Sequence, residues 1–260
     1  MADSKVFHLG LNAKMLEGVE MVLLPGDPGR VTKIADRLSN VSKLAELREF
    51  HTMVGELNGR RVLVTSTGIG GPSAAITVEE LAILGIRRFL RIGTTGALQE
   101  HIEPGDVIIP TAAVRYDGAS KHIAPIEYPA VANFDMVHAL KTTAIRQNVG
   151  HHLGICASSD TFYQGQNRLE SYQNGFLIKE LRSRVEELKA LNVLSLEMEA
   201  ATILTQTSAY NLVGGCVLGV LLNRNRSEFP SEADMKKTED RVIDVAIGAA
   251  DTYLSQNHLV

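Results

Sequence analysis

The strongest constraint on the fold is an alternation: short apolar runs ending in glycine are followed by longer stretches of helical period. "EMVLLPG" leads into "DPGRVTKIADRLS", and "RVLVTSTGIGG" leads into "PSAAITVEELAILGI", where Ile76, Leu81 and Leu84 are spaced for one helix face. "RRFLRIGTTG", "DVIIPTAAVRYDG", "HLGICASSD" and "GGCVLGVLLNR" read as further strands. "NFDMVHALKTTAIRQN" reads as a helix capped at Asn133, or by Asp135 in its first turn, and "EMEAATILTQTSAY" as another. A last helix is expected over about 232–254, its core face made by Met235, Thr238, Val242, Ala246 and Ala249. This order predicts an α/β sandwich around a mostly parallel sheet, with ligands gathered beyond the carboxyl ends of the strands. No repeat, low-complexity tract or Pro/Ser-rich linker interrupts it, so residues 1–260 read as one domain.

Composition narrows the class. With 45% hydrophobic and 22% charged residues the chain can build a sizeable core and is not of disordered type. A net charge of −4 gives no global reason to expect nucleic acid or an anionic membrane, so any anion must be held by a few placed arginines. The two cysteines, Cys156 and Cys216, lie in apolar runs and read as buried thiols of a reducing compartment rather than metal ligands. "MADSKVFHLGL" lacks a secretory pattern, and "VGGCVLGVLL" is about half the ~20 residues that span a bilayer. The expectation is a cytoplasmic protein.

The polar residues at the strand ends share a chemistry. In "PGDPGR", Gly26 permits close backbone approach and Arg30 falls in the first helical turn, where free N–H groups and the helix dipole favour an anion. A plain βα turn with a solvated arginine is the alternative. Arg91 lies inside the apolar run "FLRIG", where an unpaired charge is costly, so it has a partner, either a protein acid or an anionic ligand. Gly93, Thr94, Thr95 and Gly96 then read as a turn carrying two hydroxyls. Arg30, Arg91 and Thr94 together suit phosphate. "STGIGGPS" lacks the full glycine pattern of a dinucleotide site, and no Walker motif occurs, so no nucleotide cofactor is expected.

In "LSLEMEAAT", Glu197 and Glu199 flank Met198 at a strand-to-helix junction. Such carboxylates can accept from a vicinal diol while the methionine lies on a sugar face; alternatively, they complement the helix dipole. A carboxylate pair could serve glycoside hydrolysis, but that leaves the arginines without a purpose. The stretch "SSDTFYQGQNR" (158–168) brings an aromatic pair, Phe162 and Tyr163, to Gln166 and Arg168, an amide and a guanidinium suited to a planar polar ring. Phosphate, sugar and ring together describe a nucleoside undergoing phosphorolysis.

In order along the chain, "VFHLGL", "PGDPGR", "REF", "STGIGGPS", "FLRIGTTGA", "GDVIIPTAAVRYDGAS", "ASSDTFYQGQNR", "EMEAAT" and "VLLNR" resemble the nucleoside phosphorylase family, in its bacterial uridine-cleaving branch, nearly end to end. The resemblance implies the nucleoside phosphorylase fold: a three-layer α/β/α sandwich around a mixed, mostly parallel sheet. It implies a hexamer of three dimers with sites shared between subunits. Phosphate is then expected at Gly26, Arg30, Arg91 and Thr94, with Arg48 arriving from a neighbour. Ribose is expected at Met198 and Glu199, with Glu197 nearby and His8 supplied by the same neighbour. The base is expected against Phe162, Leu221 and Leu222, held by Gln166 and Arg168, with Arg224 more distant. A regular strand turns only one of Leu221 and Leu222 to a ligand.

Purine-specific members carry an acidic Ser-Asp pair where this chain has "LLNRNR", which favours a pyrimidine, and nucleosidases lack the arginine set. The implied reaction is uridine plus phosphate to uracil and ribose-1-phosphate, with Arg91, Thr94, Gln166, Arg168 and Glu199 carrying it. No cofactor is expected to be required. A structural potassium ion at Glu49, the Ile69 carbonyl and Ser73 is a further expectation, although Glu49 could instead pair with an arginine. A hydrolase, a purine phosphorylase and a non-catalytic nucleoside-binding protein are the competing readings.

Overall fold

In the computed structural model, which describes residues 4–226, 230 and 232–256, strand β1 (Val19–Pro25) shows why the apolar runs become strands. Met21 and Leu23 pack on one side with Val31 and Ile34 of α1 (Pro28–Ala35), Met136 and Leu140 of α4 (Phe134–Arg146), and Val242 and Ala246 of α7 (Glu232–Gln256). Val22 and Leu24 pack on the other with Ala74, Val78 and Leu81 of α2 (Gly71–Ile83) and Ile203 of α6 (Ala200–Ala209). A strand covered on both faces must be apolar at every position, and a helical layer on each side makes the three-layer sandwich.

The remaining strands among the described residues are β2 (Ser39–Leu47), β3 (Phe50–Leu57), β4 (Arg60–Thr65), β5 (Arg88–Ala97), β6 (Val107–Tyr116), β7 (Ala130–Val131), β8 (His151–Ser159), β9 (Ser195–Glu197) and β10 (Val213–Asn223). Two short helices complete them, α3 (Ala119–Ile123) and α5 (Arg184–Ala190). The sheet is mixed. Strands β4, β1, β5 and β10 run parallel side by side, as do β6, β8 and β9. Antiparallel pairing joins the two groups, β10 to β6 and β9 to β5, so that five strands close into a ring. The β2–β3 hairpin extends the far edge through β4.

Several expectations are refined. Helix α4 is capped by Asn133, whose side chain accepts from the Met136 N–H, while Asp135 sits in the first turn. The buried face of α2 is Ala74, Thr77, Val78 and Leu81; Ile76 and Leu84 are only partly covered. Met235 is exposed, because the first turn of α7 precedes the packed face that starts at Thr238. Gly93 to Gly96 is not a turn: β5 continues through it to Ala97, held in register by β10. Strand β2 is an addition to the strands expected from sequence: it is a mostly exposed edge strand, and "SNVSKLAEL" carries little apolar signal.

Candidate active site

The carboxyl ends of β1, β5, β9 and β10 open into a cavity of about 770 Å³. Gly26, Arg30, Arg91 and Thr94 line it, as do Glu197, Met198 and Glu199. Phe162, Gln166 and Arg168 close one side with Leu221 and Leu222, and Glu49, Ile69 and Ser73 border another. Residues 120 or more positions apart in sequence therefore meet in one space.

Arg91 is on the same face of β5 as Phe89, pointing toward the α2/α6 layer. Its Nε donates to Glu197 Oε2 at 3.1 Å, and its Nη2 lies 2.9 Å from the same oxygen and 2.5 Å from Glu199 Oε2. The protein acid left open as its partner is thus present twice. Its Nη1, however, is buried with no hydrogen-bond partner among the described residues, and lies 4.0 Å from where a Cβ on Gly26 would stand. A buried orphan donor is costly, and here it faces the glycine turn expected to hold an anion. Burial alone would lower the Arg91 pKa, but Glu199 and then Glu197 outweigh it and raise it above the ordinary value.

The two glutamates differ in what they have left to offer. Glu197 accepts from the Glu199 N–H at 2.9 Å and the Ala200 N–H at 2.9 Å, capping α6, and also from Ser158 Oγ and Arg91. About four lone-pair sites serve a carboxylate, so Glu197 is occupied as helix cap and arginine clamp. Glu199 accepts from the Gly70 N–H at 2.6 Å and from Arg91, which leaves it room for a ligand hydroxyl. Burial first, then Glu197, raises the Glu199 pKa against the pull of Arg91. The glycine turn of "STGIGGPS" presents that Gly70 N–H, with Gly68 and Gly70 at φ of 70° and 93°, which explains its glycines without a dinucleotide.

Loop 160–168 folds back on β8. Gly165 donates its N–H to Thr161 Oγ1 at 2.7 Å, and a Cβ there would stand 1.9 Å from Ser159 Oγ, so only glycine fits. The Arg168 guanidinium carbon lies 4.0 Å from the Phe162 ring centroid, with Tyr163 edge-on to that ring at 5.4 Å. Gln166 and Arg168 are buried, whereas Phe162 is about half exposed at the mouth. Across from them, β10 breaks register with β5 between Val220 and Leu222. That bulge turns Leu221 and Leu222 both to the cavity, which a regular strand does not do.

Three expected residues do not reach this cavity. Arg224 packs behind it, its Cγ and Cδ each 3.2 Å from a Cβ built on Gly96. Arg48, at φ 56°, is exposed with its guanidinium 5.9 Å from the Phe7 ring. His8 borders a second cavity of about 640 Å³, where Glu80 receives its backbone N–H at 2.9 Å and its Nδ1 at 2.6 Å. Asp27 lines the main cavity without having been singled out; it caps α1 by accepting from the Gly29 N–H at 2.8 Å. Thr95, also in the lining, donates to the Leu196 carbonyl at 2.7 Å and so ties β5 to β9. Among the described residues of the lining, four carboxylates (Asp27, Glu49, Glu197, Glu199) face three guanidiniums (Arg30, Arg91, Arg168).

The chain is similar to known proteins over nearly all of its length. Residues 20–255 match the model of the phosphorylase superfamily. The chain is 50% identical to a uridine phosphorylase of Escherichia coli over 96% of its length and 98% of that protein. It is 48% identical to a uridine phosphorylase of Haemophilus influenzae over 97% of its length and all of that protein. A uridine phosphorylase of Thermococcus kodakarensis is 47% identical over 80% of this chain and 74% of its own. The chain belongs to the phosphorylase superfamily.

Proposed function

We propose that the protein is an enzyme that cleaves uridine with phosphate, giving uracil and ribose-1-phosphate. The observation that carries this is the Arg91 Nη1, buried beside Gly26 with no hydrogen-bond partner among the described residues, in the same cavity as Glu199 and the Gln166–Arg168 loop. Phosphate takes the orphan donor, with Gly26, Arg30 and Thr94 around it. Ribose lies between phosphate and base on Met198, with a hydroxyl accepted by Glu199. Uracil lies against Phe162, Leu221 and Leu222, with its polar edge on Gln166 and Arg168.

The mechanism is positioning with fixed dipoles. As the glycosidic bond lengthens, positive charge grows on the sugar and negative charge on the base. Phosphate stabilises the sugar cation and attacks its anomeric carbon, while Gln166 and Arg168 stabilise the departing uracil. Donors of this kind, fixed before charge develops, are worth roughly 3–4 kcal/mol each. The base end favours a pyrimidine: Asn223 is turned away, donating to the Gln99 and Ile102 carbonyls at 2.8 Å, and among the described residues at that end, Phe162, Gln166, Arg168, Leu221 and Leu222, there is no carboxylic acid to protonate a purine nitrogen.

The same proposal extends to assembly: a hexamer of three dimers in which a neighbour supplies Arg48 and His8. Its support is that both residues lie outside this chain's own cavity, and that the described lining of this cavity holds more carboxylates than guanidiniums. A potassium ion fits the oxygens near Gly68: Glu49 and Ser73 both crowd that glycine, and Ser73 Oγ donates to the Ile69 carbonyl at 3.1 Å. Glu49, that carbonyl and Ser73 would hold it, supplying only local charge balance. No helix among the described residues is long and apolar enough to cross a membrane. Cys156 and Cys216 are buried free thiols whose pKa values burial raises, and unpaired thiols suit a reducing compartment such as the cytoplasm.

The test is uridine with and without phosphate, followed for free uracil and ribose-1-phosphate. Uracil released only with phosphate, alongside ribose-1-phosphate, is expected. Equal release in phosphate-free buffer makes the protein a hydrolase, binding without turnover makes it a nucleoside-binding protein, and a preference for inosine makes it a purine phosphorylase.

A further inference from the structure

Arg30 is held by a residue that lies nowhere near it in sequence and outside the cavity lining. Its Nε donates to Glu239 Oε1 of α7 at 2.7 Å, and its Nη1 to the Ile92 carbonyl at 3.3 Å. Both partners of this ion pair are largely buried, and the other Glu239 oxygen receives Lys33. Burial would raise the Glu239 pKa, but hydrogen bonds from Lys33 and Arg30 bring it below the ordinary carboxylate value, so the tether is anionic at neutral pH. Below it, Arg37, in the turn that follows α1, pairs with Asp240 at 2.8 Å and Asp244 at 3.2 Å, further links to α7 that do not touch the cavity.

We infer that Glu239 is a positioning residue for phosphate binding: it fixes the plane of the Arg30 guanidinium through Nε and leaves the remaining Nη donors for the anion. A free arginine side chain carries several rotatable bonds, and ordering it would be charged against phosphate affinity; the tether removes that cost before the ligand arrives. This rests on the proposed phosphate subsite, and it connects that subsite to the C-terminal helix.

The experiment measures KM for phosphate, KM for uridine and kcat in full-length Glu239→Ala, Glu239→Gln, Arg30→Ala and Arg37→Ala enzymes. Glu239→Ala should raise KM for phosphate about three- to tenfold, the cost of ordering one long side chain, with KM for uridine unchanged. Glu239→Gln keeps an oxygen to accept from Nε and should recover most of that loss. Arg37→Ala removes those further links to α7 and should leave KM for phosphate as in the parent. If Arg37→Ala raises it as much as Glu239→Ala, general helix docking is responsible and the inference fails. It also fails if Arg30→Ala weakens phosphate while Glu239→Ala does not, or if Glu239→Ala tightens phosphate, which would make Glu239 a competitor. An Arg30→Ala enzyme with unchanged KM for phosphate instead overturns the phosphate subsite itself.

Discussion

Replacing Arg91 by alanine tests the site's electrostatics most directly. From sequence alone the change is expected to abolish phosphorolysis and spare the fold, since Arg91 reads as a ligand arginine. The structure alters the second half of that expectation. Glu197 and Glu199 are both about 5% exposed or less, and Arg91 is the cation they share. Removing it strands two buried carboxylates two residues apart, and breaking a buried ion pair in this way costs roughly 3–5 kcal/mol. For a chain of this size that is a fall in Tm of roughly 6–20 °C.

The deficit should depend on pH with a defined sign. Burial already raises the Glu199 pKa above its ordinary 4.5, and losing Arg91 removes the largest influence opposing that shift. A carboxyl with a raised folded-state pKa contributes stability that is fully present below the unfolded pKa and lost as pH rises through the folded one. The gap between Arg91→Ala and the parent should therefore be small in urea melts near pH 5 and widen toward about pH 8. Adding Glu199→Gln to Arg91→Ala removes one stranded charge and should recover part of the loss. Activity per folded molecule should still fall by at least about 10²-fold, as when one fixed donor is deleted from an anion site. A variant as stable as the parent at pH 8, or one whose deficit shrinks as pH rises, refutes the argument.

Two further outcomes are expected. Gln166→Leu keeps bulk but leaves polar atoms of the base unpaired, so kcat/KM for uridine should drop by up to ~10⁴ while phosphate binding without nucleoside is unchanged; near-normal turnover would reduce loop 160–168 to a lid. An inactive Arg48→Ala chain co-refolded with an inactive Arg168→Ala chain should regain part of the activity, because one site of each hybrid pair has both arginines intact. Verified mixed oligomers that stay inactive would show that Arg48 is not supplied by a neighbour.

How legible each feature was depends on the length scale of the physics behind it. Two-faced burial demands an uninterrupted apolar run, so β1, β4 and β10 were visible in the sequence, as was the Asn133 cap, a contact spanning three residues. Gly26 and Glu199 could be picked out as residue types with a purpose just beyond a strand, and Arg91 as a charge inside an apolar one. Edge strand β2 is mostly exposed and pairs only with its hairpin neighbour β3, so it carries little apolar signal, whereas the three-residue β9, read from the sequence only as a junction before α6, owes its place to pairing with the distant β5 and β8. Only the tertiary structure decided how charge is distributed among those residues. Glu197's hold on the N–H groups two and three residues ahead is local, but that its other sites go to Ser158 and Arg91, while Glu199 takes the Gly70 N–H and keeps an acceptor for a ligand, follows from contacts that only folding brings within reach. That Leu221 and Leu222 both face the cavity follows from a bulge set by pairing with β5. That Arg30 is tethered by Glu239 follows from α7 packing beside α1, a contact across 209 residues. Sequence alone determined the residue types, and so which ligand chemistry was available. Hydrogen-bond partners depend on distances that only folding sets, and they determined which donors and acceptors were left for it.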